Sequence, residues 1–237
     1  MTGKTFAVIP AAGMGKRMGA SVNKQYLRLG DRPIIAHTLQ VFQDSPDIAG
    51  IIVVIPEDEI PYCRETVIEA YHLSKVLAVV PGGTERQHSV RNGLAALEAY
   101  ADEHDIVLIH DGVRPFITPE IIHQTILMAA TGPGVLVAVP VKDTIKVVHE
   151  GTVQQTPDRS SLWHAQTPQG FQFCSIHTLH QRAAAEQFCA TDDCALYEQY
   201  GLPVNIVVGN YRNIKITTPE DLVLAEAFLK EQAGDIQ

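Results

Sequence analysis

The amino-terminal part of the chain contains the run Phe6-Ala7-Val8-Ile9-Pro10-Ala11-Ala12-Gly13-Met14-Gly15-Lys16-Arg17-Met18-Gly19. Its apolar opening, up to Pro10, is typical of a short buried strand. Small residues and glycines then replace large side chains, which leaves backbone N–H groups accessible. The cations Lys16 and Arg17 stand in this loop, and Lys24 follows shortly after it. Because accessible N–H groups beside cations bind phosphate, the run predicts a strand followed by a phosphate-binding loop.

Apolar runs of strand length recur along the chain, with stretches long enough for helices between most of them. The predicted strands are residues 6–10, 51–55, 76–80, 106–109, 135–139 and 204–208. The predicted helices are residues 34–42, 57–72, 87–100, 119–130 and 219–232. Alternation of this kind indicates a parallel sheet covered by helices on both faces. We therefore expect an α/β fold, Rossmann-like, with a mostly parallel twisted sheet.

A short segment interrupts this alternation where another strand–helix unit would be expected. Residues 144–149 and 152–156 have the pattern of two short strands around Glu150-Gly151, which indicates an inserted β-hairpin. An isolated hairpin buries little surface and needs a packing partner. Either it folds back on its own sheet, or it forms an arm that reaches a second subunit. Since the sequence has no repeat or linker, we expect a single domain over residues 1–237, with the arm inserted at about 141–160.

Composition and charge argue against several classes of protein. The 237 residues carry a net charge of −9, which argues against a nucleic-acid-binding role. No apolar run approaches the ~20 residues of a membrane span, and the first strand begins too early for a signal peptide, so we expect a cytoplasmic location. The four cysteines lack metal-site spacing and are expected to be ordinary thiols. Residues 1–32 nevertheless hold six cations and one acid, which indicates a local anion site.

Further candidate residues follow other predicted strands, because ligands of parallel α/β sheets bind beyond the carboxyl ends of strands. Gly82-Gly83 follows the third strand and allows a ligand close to the backbone, with the hydroxyls of Thr84 and Ser89 nearby. This loop either binds a flat ligand such as a nucleobase or is a plain turn and helix cap. Asp111 and Arg114 follow the fourth strand. They either hold Mg²⁺ and a second anion or form a structural ion pair.

The loop after the first strand matches neither of two common phosphate-binding fingerprints. The dinucleotide fingerprint requires a glycine where Met18 stands, and the P-loop requires Ser or Thr where Arg17 stands. The serines show no nucleophile elbow, so a Ser/His/Asp triad is not expected. Glycine loops, cations and an acid placed for a metal suit phosphoryl-type transfer, in which the enzyme positions phosphates and neutralises their charge. Together, Arg17 and Lys24 favour a triphosphate as the ligand.

Several motifs, taken in order, resemble those of one enzyme family. They are Pro10-Ala-Ala-Gly-Met-Gly-Lys-Arg-Met18 with Lys24-Gln25-Tyr26, Gly82-Gly83-Thr-Glu-Arg86 with Ser89, His110-Asp111-Gly-Val-Arg114-Pro115, Pro140-Val-Lys-Asp143-Thr144-Ile-Lys146, Leu162-Trp163-His164-Ala-Gln-Thr167-Pro168-Gln169, Thr191-Asp192-Asp193 and Asn213-Ile214-Lys215-Ile-Thr217. The first motif resembles nucleotidyltransferases of the sugar-nucleotide pyrophosphorylase type. All together, over about residues 5–229, they resemble the 2-C-methyl-D-erythritol 4-phosphate cytidylyltransferase family of the non-mevalonate isoprenoid pathway.

The resemblance implies a reaction and its participants. CTP and 2-C-methyl-D-erythritol 4-phosphate give 4-diphosphocytidyl-2-C-methyl-D-erythritol and pyrophosphate, with Mg²⁺ as the cofactor. It also implies a homodimer in which the hairpin arm of one subunit completes the site of the other. Two alternatives remain open. One is a cytidylyltransferase of the same fold that acts on ribitol 5-phosphate, and the other is a non-catalytic nucleotide-binding regulator.

The resemblance also implies roles for individual residues. The expected catalytic residues are Arg17, Lys24 and Lys215. The expected nucleotide-binding residues are Ala11, Ala12, Gly13, Gly15, Gly83, Thr84 and Ser89. The expected acceptor-binding residues are Arg114, Thr144, Arg159 and Thr167, of which Thr144 and Arg159 come from the neighbouring subunit. The expected Mg²⁺ ligand is Asp111.

Overall fold

The computed structural model describes residues 3–13 and 23–234. The strands and helices follow one another as β1 (Thr5–Pro10), β2 (Arg28–Leu29), β3 (Arg32–Pro33), α1 (Ile34–Asp44), β4 (Gly50–Ile55), α2 (Ile60–Cys63), β5 (Val76–Pro81), α3 (Arg86–Leu97), β6 (Ile106–Ile109), α4 (Pro119–Ala129), β7 (Gly134–Pro140), β8 (Val147–His149), β9 (Thr152–Gln155), β10 (Trp163–Gln172), α5 (Phe173–Ala185), α6 (Cys194–Gln199), β11 (Val204–Val208) and α7 (Pro219–Gly234). Single 3₁₀ turns occupy Lys24–Tyr26, Glu57–Glu59 and Arg159–Ser161.

Seven strands form one sheet in the order β11-β7-β10-β6-β1-β4-β5. Neighbouring strands are parallel except at β10, which runs antiparallel to β6 and β7. The mostly parallel, Rossmann-like α/β sheet expected from the sequence is therefore confirmed, and all six predicted strands are present. The sequence pattern does not predict β10, because its polar side chains and Pro168 interrupt the alternation typical of a strand.

Apolar side chains of the central strands alternate between the two faces of the sheet. On β1, Ala7 and Ile9 pack on the face covered by α1 and α4. Phe6 and Val8 pack on the opposite face, which α3, α5 and α6 cover. Burial on both faces explains why the sequences of these strands are unbroken apolar runs. It also holds the carboxyl end of β1 in place, where the phosphate-binding loop was expected.

Four of the five predicted helices are continuous, and one is not. The helix predicted over residues 57–72 is divided into a 3₁₀ turn, the short α2 and a π-helical turn at Arg64–Glu69. Pro61 lies in the first turn of α2, and since proline has no N–H, a helix begins anew there. In the described part of the chain, no helix has both the length and the apolar character needed to cross a membrane.

The last helix, α7, begins at Pro219 as predicted. Asp221 Oδ2 accepts the backbone N–H groups of Thr217 at 2.8 Å and Thr218 at 2.9 Å, while Thr218 Oγ1 accepts the Asp221 N–H at 3.3 Å. This reciprocal arrangement is a capping box, and it satisfies N–H groups that the helix itself leaves unpaired. It also fixes the backbone just after Lys215.

The predicted hairpin is present and forms a two-stranded sheet of its own from β8 and β9. Glu150 and Gly151 have φ values of 48° and 77°, as a tight two-residue turn of type I′ requires. Val148 and Val153 pair across the hairpin and are 54% and 56% exposed. The hairpin therefore does not bury these valines against the seven-stranded sheet. Its packing on a second subunit stays a prediction.

Candidate active site

The strand order predicts a ligand site at one edge of the sheet. From β1 the chain adds β4 and then β5 on one side of β1, and it then crosses over to add β6 on the other side. Ligands of open α/β sheets bind at such a change of direction, beyond the carboxyl ends of the strands. A cleft with about 590 Å³ of empty space lies there. It is lined by Pro10, Ala11, Ala12, Gly13, Lys24, Gly83, Thr84, Glu85, Arg86, Ser89, Asp111, Val113 and Lys215.

The loops after β1 and β5, which both line the cleft, approach each other closely. Ala11 N–H donates to Val54 O at 2.7 Å, which continues the sheet pairing past the end of β1. A methyl group on Gly82 would lie 2.3 Å from the Cβ of Ala12. Only glycine allows this approach without a shift of the backbone. The two loops expected to bind the nucleotide therefore lie side by side.

Lys24 faces the cleft from the turn Lys24–Tyr26. A methyl group on Gly13 would lie 4.0 Å from Lys24 Nζ, so the ammonium group lies beside the loop after β1. The intervening residues 14–22 lie outside the described residues, and Gly15 and Arg17 are among them. In the described part of this region, the backbone of the loop after β1 and the Lys24 ammonium group thus lie together at the cleft, as a phosphate site requires.

The Ser89 hydroxyl fixes the conformation of the loop after β5. It accepts the Gly83 N–H at 3.0 Å and donates to Glu85 O at 3.2 Å. The hydroxyl of Thr84 is bonded to His88 Nδ1 at 2.9 Å. The loop is therefore a turn fixed by its own hydrogen bonds that also lines the cleft, and its binding of a nucleobase stays a prediction.

Asp111 lies just after β6, and three cations meet its buried carboxylate. Arg86 Nε lies 3.3 Å from Oδ1, while Arg114 Nε at 3.3 Å and Lys215 Nζ at 2.9 Å contact Oδ2. Burial alone would raise the pKa of Asp111, but the charges of these cations, Arg86 first, hold that pKa well below its usual range. Asp111 is therefore ionised at neutral pH, and the cations around it favour an anionic ligand.

Arg86 connects Asp111 to a second buried carboxylate. Its Nη1 lies 2.7 Å from Asp193 Oδ2, and His180 Nε2–H donates to Asp193 Oδ1 at 3.1 Å. Burial alone would lower the pKa of Arg86, but Asp193 and Asp111 raise it above its usual value. The guanidinium group is therefore charged and held in one orientation. Arg86 belongs to one of the family motifs, but the sequence pattern does not predict its role, because its partners lie 25 and 107 residues away.

Thr167 and His110 support Asp111 from within the protein. Asp111 N–H donates to Thr167 Oγ1 at 3.1 Å, the Thr167 hydroxyl donates to His110 Nδ1 at 3.0 Å, and His110 Nε2–H donates to Arg114 O at 3.0 Å. Burial lowers the pKa of His110 to about 4, so the ring is neutral at neutral pH. Arg114 Nη1 also donates to Asn213 O at 2.8 Å. Thr167 and Arg114, both expected to bind the acceptor, thus already have partners within the chain.

The structure brings the predicted catalytic, nucleotide and metal residues of the described chain to one cleft. Those that line it are Ala11, Ala12, Gly13, Lys24, Gly83, Thr84, Ser89, Asp111 and Lys215. Thr144 and Arg159 lie on the arm segment and are exposed. Neither lines this cleft, and Arg159 Nη1 donates to the backbone oxygen of Lys142 at 2.7 Å.

Comparison with known proteins decides the family. The family model for IspD, 2-C-methyl-D-erythritol 4-phosphate cytidylyltransferase, matches residues 5–231. The chain belongs to this family. A 2-C-methyl-D-erythritol 4-phosphate cytidylyltransferase of Geobacter metallireducens is 60% identical over 227 residues, covering 96% of this chain and 98% of the relative. One of Geotalea uraniireducens is 58% identical over 224 residues, covering 94% and 96%.

Solved structures of the same family agree with this assignment. The 4-diphosphocytidyl-2C-methyl-D-erythritol synthase of Anaerococcus prevotii matches with a TM-score of 0.83 at 34% identity and covers 97% of each chain. The 2-C-methyl-D-erythritol 4-phosphate cytidylyltransferase of Thermus thermophilus matches with a TM-score of 0.77 at 30% identity, covering 97% of this chain and all of that one (100%). The expected nucleotidyltransferase of isoprenoid biosynthesis is thereby confirmed.

Proposed function

We propose that the protein transfers the cytidylyl group of CTP to 2-C-methyl-D-erythritol 4-phosphate and releases pyrophosphate. The observation that carries the proposal is the anion-attracting cleft, in which the buried carboxylate of Asp111 is held by Arg86 and Lys215. Lys24 lines the same cleft. Relatives and solved structures that match along nearly the whole chain carry the name of this activity.

The proposed chemistry is an in-line displacement at phosphorus. An oxygen of the acceptor phosphate forms a bond to the α-phosphorus of CTP, the bond to the bridging oxygen breaks, and pyrophosphate leaves with that electron pair. Negative charge grows on the α-phosphate and on the leaving group, so cations that meet it there lower the barrier. Lys24 is proposed to face the α-phosphate and Arg17 the departing pyrophosphate. Lys215, beside Asp111, is proposed to lie near the reacting phosphates.

The nucleoside of CTP is proposed to bind between the loops after β1 and β5. The close approach of Gly82 to Ala12 supports this, since it brings the two loops to one wall of the cleft. The proposed nucleotide-binding residues are Ala11, Ala12, Gly13, Gly15, Gly83, Thr84 and Ser89. Small residues at these positions leave backbone groups within reach of a flat ligand.

Mg²⁺ is the proposed cofactor, and the residues of the cleft fit it when the nucleotide is present. In the described ranges, no group of three or more His, Cys, Asp or Glu side chains could hold a metal ion. Mg²⁺ is usually bound through one or two carboxylates together with substrate phosphates. Asp111 would therefore hold an ion that arrives with the triphosphate, and the ion would neutralise phosphate charge.

The acceptor is proposed to bind Arg114 and Thr167 of one subunit, with Thr144 and Arg159 supplied by the arm of a second. The exposed arm supports a homodimer, because valines such as Val148 form an apolar surface that a subunit interface would bury. Neither Thr144 nor Arg159 lines the cleft of its own chain. The single domain over residues 1–237 and the cytoplasmic location stay predictions.

Release of pyrophosphate tests the proposal. With CTP and Mg²⁺, the purified protein is expected to release pyrophosphate when 2-C-methyl-D-erythritol 4-phosphate is added, and to stop when Mg²⁺ is removed by chelation. Ribitol 5-phosphate, tested under the same conditions, is the comparison acceptor. Turnover with ribitol 5-phosphate alone would assign the alternative enzyme. Binding of CTP without turnover of either acceptor would assign the non-catalytic regulator.

A further inference from the structure

The two side chains that flank Lys24 meet the same carboxylate. The side-chain amides of Asn23 and Gln25 both donate to Glu59, Asn23 to Oε1 and Gln25 to Oε2, the latter at 3.0 Å. Glu59 ends the 3₁₀ turn that follows β4, and it stands 34 residues beyond Gln25. One carboxylate from another part of the chain thus holds the turn on both sides of Lys24.

Asn23 does not make the local bond that its position usually provides. It is the N-cap of the turn Lys24–Tyr26, where an asparagine side chain commonly accepts an N–H group of the following turn. No such side-chain bond is present, and the amide donates to Glu59 instead. Among the described residues, the backbone bonds that close the turn are Tyr26 N–H to Asn23 O at 2.9 Å and Leu27 N–H to Lys24 O at 3.2 Å. A single helical turn is marginal in water, so it depends on outside contacts.

Packing against α2 restrains the same turn. Gln25 is fully buried, and Tyr26 is almost fully buried. The ring of Tyr26 meets Tyr62 edge to face, with centroids 5.0 Å apart. Tyr62 and Glu59 belong to neighbouring parts of one segment, which therefore holds the turn by apolar contact and by its carboxylate together.

We infer that Glu59 is a positioning residue for Lys24. Its carboxylate fixes Asn23 and Gln25, and this keeps the Lys24 ammonium group beside Gly13 at the cleft. Glu59 does not line the cleft itself. The inference rests on the proposed function, in which Lys24 faces the α-phosphate. A displacement of about 1 Å at such a group costs on the order of 10²-fold in rate.

A kinetic double-mutant cycle tests the inference. Glu59→Ala is expected to lower kcat for pyrophosphate release at least about tenfold, with the KM for the acceptor changed by less than about twofold. In the Lys24→Ala background, Glu59→Ala is expected to change kcat by less than about twofold, because its effect passes through Lys24. Glu57→Ala is the matched control, since it removes an exposed acid from the same turn. Its kcat is expected to equal that of the unaltered protein.

The outcomes separate this inference from the proposed function. If Lys24→Ala lowers kcat but Glu59→Ala does not, or if Glu59→Ala costs the same factor in both backgrounds, Glu59 does not position Lys24 and the proposed function stands. If Lys24→Ala leaves kcat unchanged, the role of Lys24 in the proposed function fails, and the inference fails with it. Glu59→Gln keeps the size and one acceptor oxygen, and it is expected to give an intermediate kcat. It replaces Glu59→Ala in the cycle if that variant does not fold.

Discussion

Lys215 Nζ lies 2.9 Å from Asp111 Oδ2, although the two residues stand on segments far apart in the chain. Arg86 and Arg114 meet the same carboxylate at 3.3 Å each. Because a carboxylate so buried is costly unless it is paired, the three cations and Asp111 stabilise one another. Asp111 therefore holds these cations in place, and its charge is the one proposed to bind Mg²⁺ with the nucleotide.

Asp111→Asn keeps the size of the side chain and removes its charge. We expect kcat/KM for CTP to fall by on the order of 10²-fold or more. We also expect the free energy of unfolding at pH 7 to fall by about 3 kcal/mol, since the three cations lose their buried counterion. Pyrophosphate release and urea unfolding measure the two effects. Asp58→Asn, at an exposed site, is the control that should change neither.

The Asp111→Asn variant also tests how the free energy of unfolding depends on pH in acid. The pKa of Asp111 is lowered on folding, so its stabilising contribution is fully present above the unfolded value of about 3.9 and is lost as the pH falls below it. The difference in unfolding free energy between the unaltered protein and Asp111→Asn should therefore narrow from pH 5 to pH 2. Urea unfolding across this range is the measurement. A difference that stays constant would contradict the ion-pair assignment.

His110 predicts a second pH dependence at higher pH. Burial lowers its pKa to about 4, against about 6.5 when unfolded, so its contribution is present above pH ~6.5 and is lost as the pH falls toward 4. Between about pH 6.5 and pH 4, protonation of His110 should lower the free energy of unfolding by on the order of 3 kcal/mol. His110→Gln can still donate to Arg114 O and does not titrate. Unfolding at pH 7, 5.5 and 4 should show a smaller loss for the variant, and an equal loss would argue against a neutral buried ring.

Thr167→Val removes one hydroxyl and keeps the shape of the side chain. The N–H of Asp111 and Nδ1 of His110 would then lack their partner, which should cost about 1–3 kcal/mol of unfolding free energy. We also expect a lower kcat, because Asp111 loses support at its backbone. Thr167→Ser keeps the hydroxyl and should restore most of both. If Val and Ser variants behave alike in thermal unfolding and turnover, the hydroxyl does not perform this role.

The sequence pattern predicts the central sheet well and fails at β10 for a physical reason. Strands buried on both faces, such as β1 and β4, carry apolar runs that need no other context. Strand β10 buries polar side chains, which are acceptable only because distant groups bond them. Gln169 Oε1, for example, accepts the N–H groups of Asp193 at 2.9 Å and Cys194 at 3.0 Å. Local composition contains no sign of those partners.

The same distinction applies to the site. Asp111 and Gly83 follow strands, so topology predicts that they meet. Lys24 is predicted there by the cations of the loop after β1 and by the family resemblance. The described structure has all three in one cleft. Arg86 and Glu59 escape prediction because their roles depend on partners in other segments, namely Asp193 for Arg86 and the amides beside Lys24 for Glu59. Only the folded structure shows that these two charged side chains are held in place by such partners.

Complementation between two variants, each impaired in a different half of the site, tests the proposed shared site. Arg159→Ala should raise the KM for the acceptor, because Arg159 is proposed to act on the neighbouring subunit. Lys24→Ala should remove turnover from its own cleft. In an equal mixture of subunits exchanged after mild denaturation, half of the dimers are mixed, and one site in each has both an intact Lys24 and an intact Arg159. About a quarter of all sites should therefore regain activity at low acceptor concentration. A mixture no more active than its separate components, with mixed dimers verified by tags of different mass, would place Arg159 outside the neighbour's site.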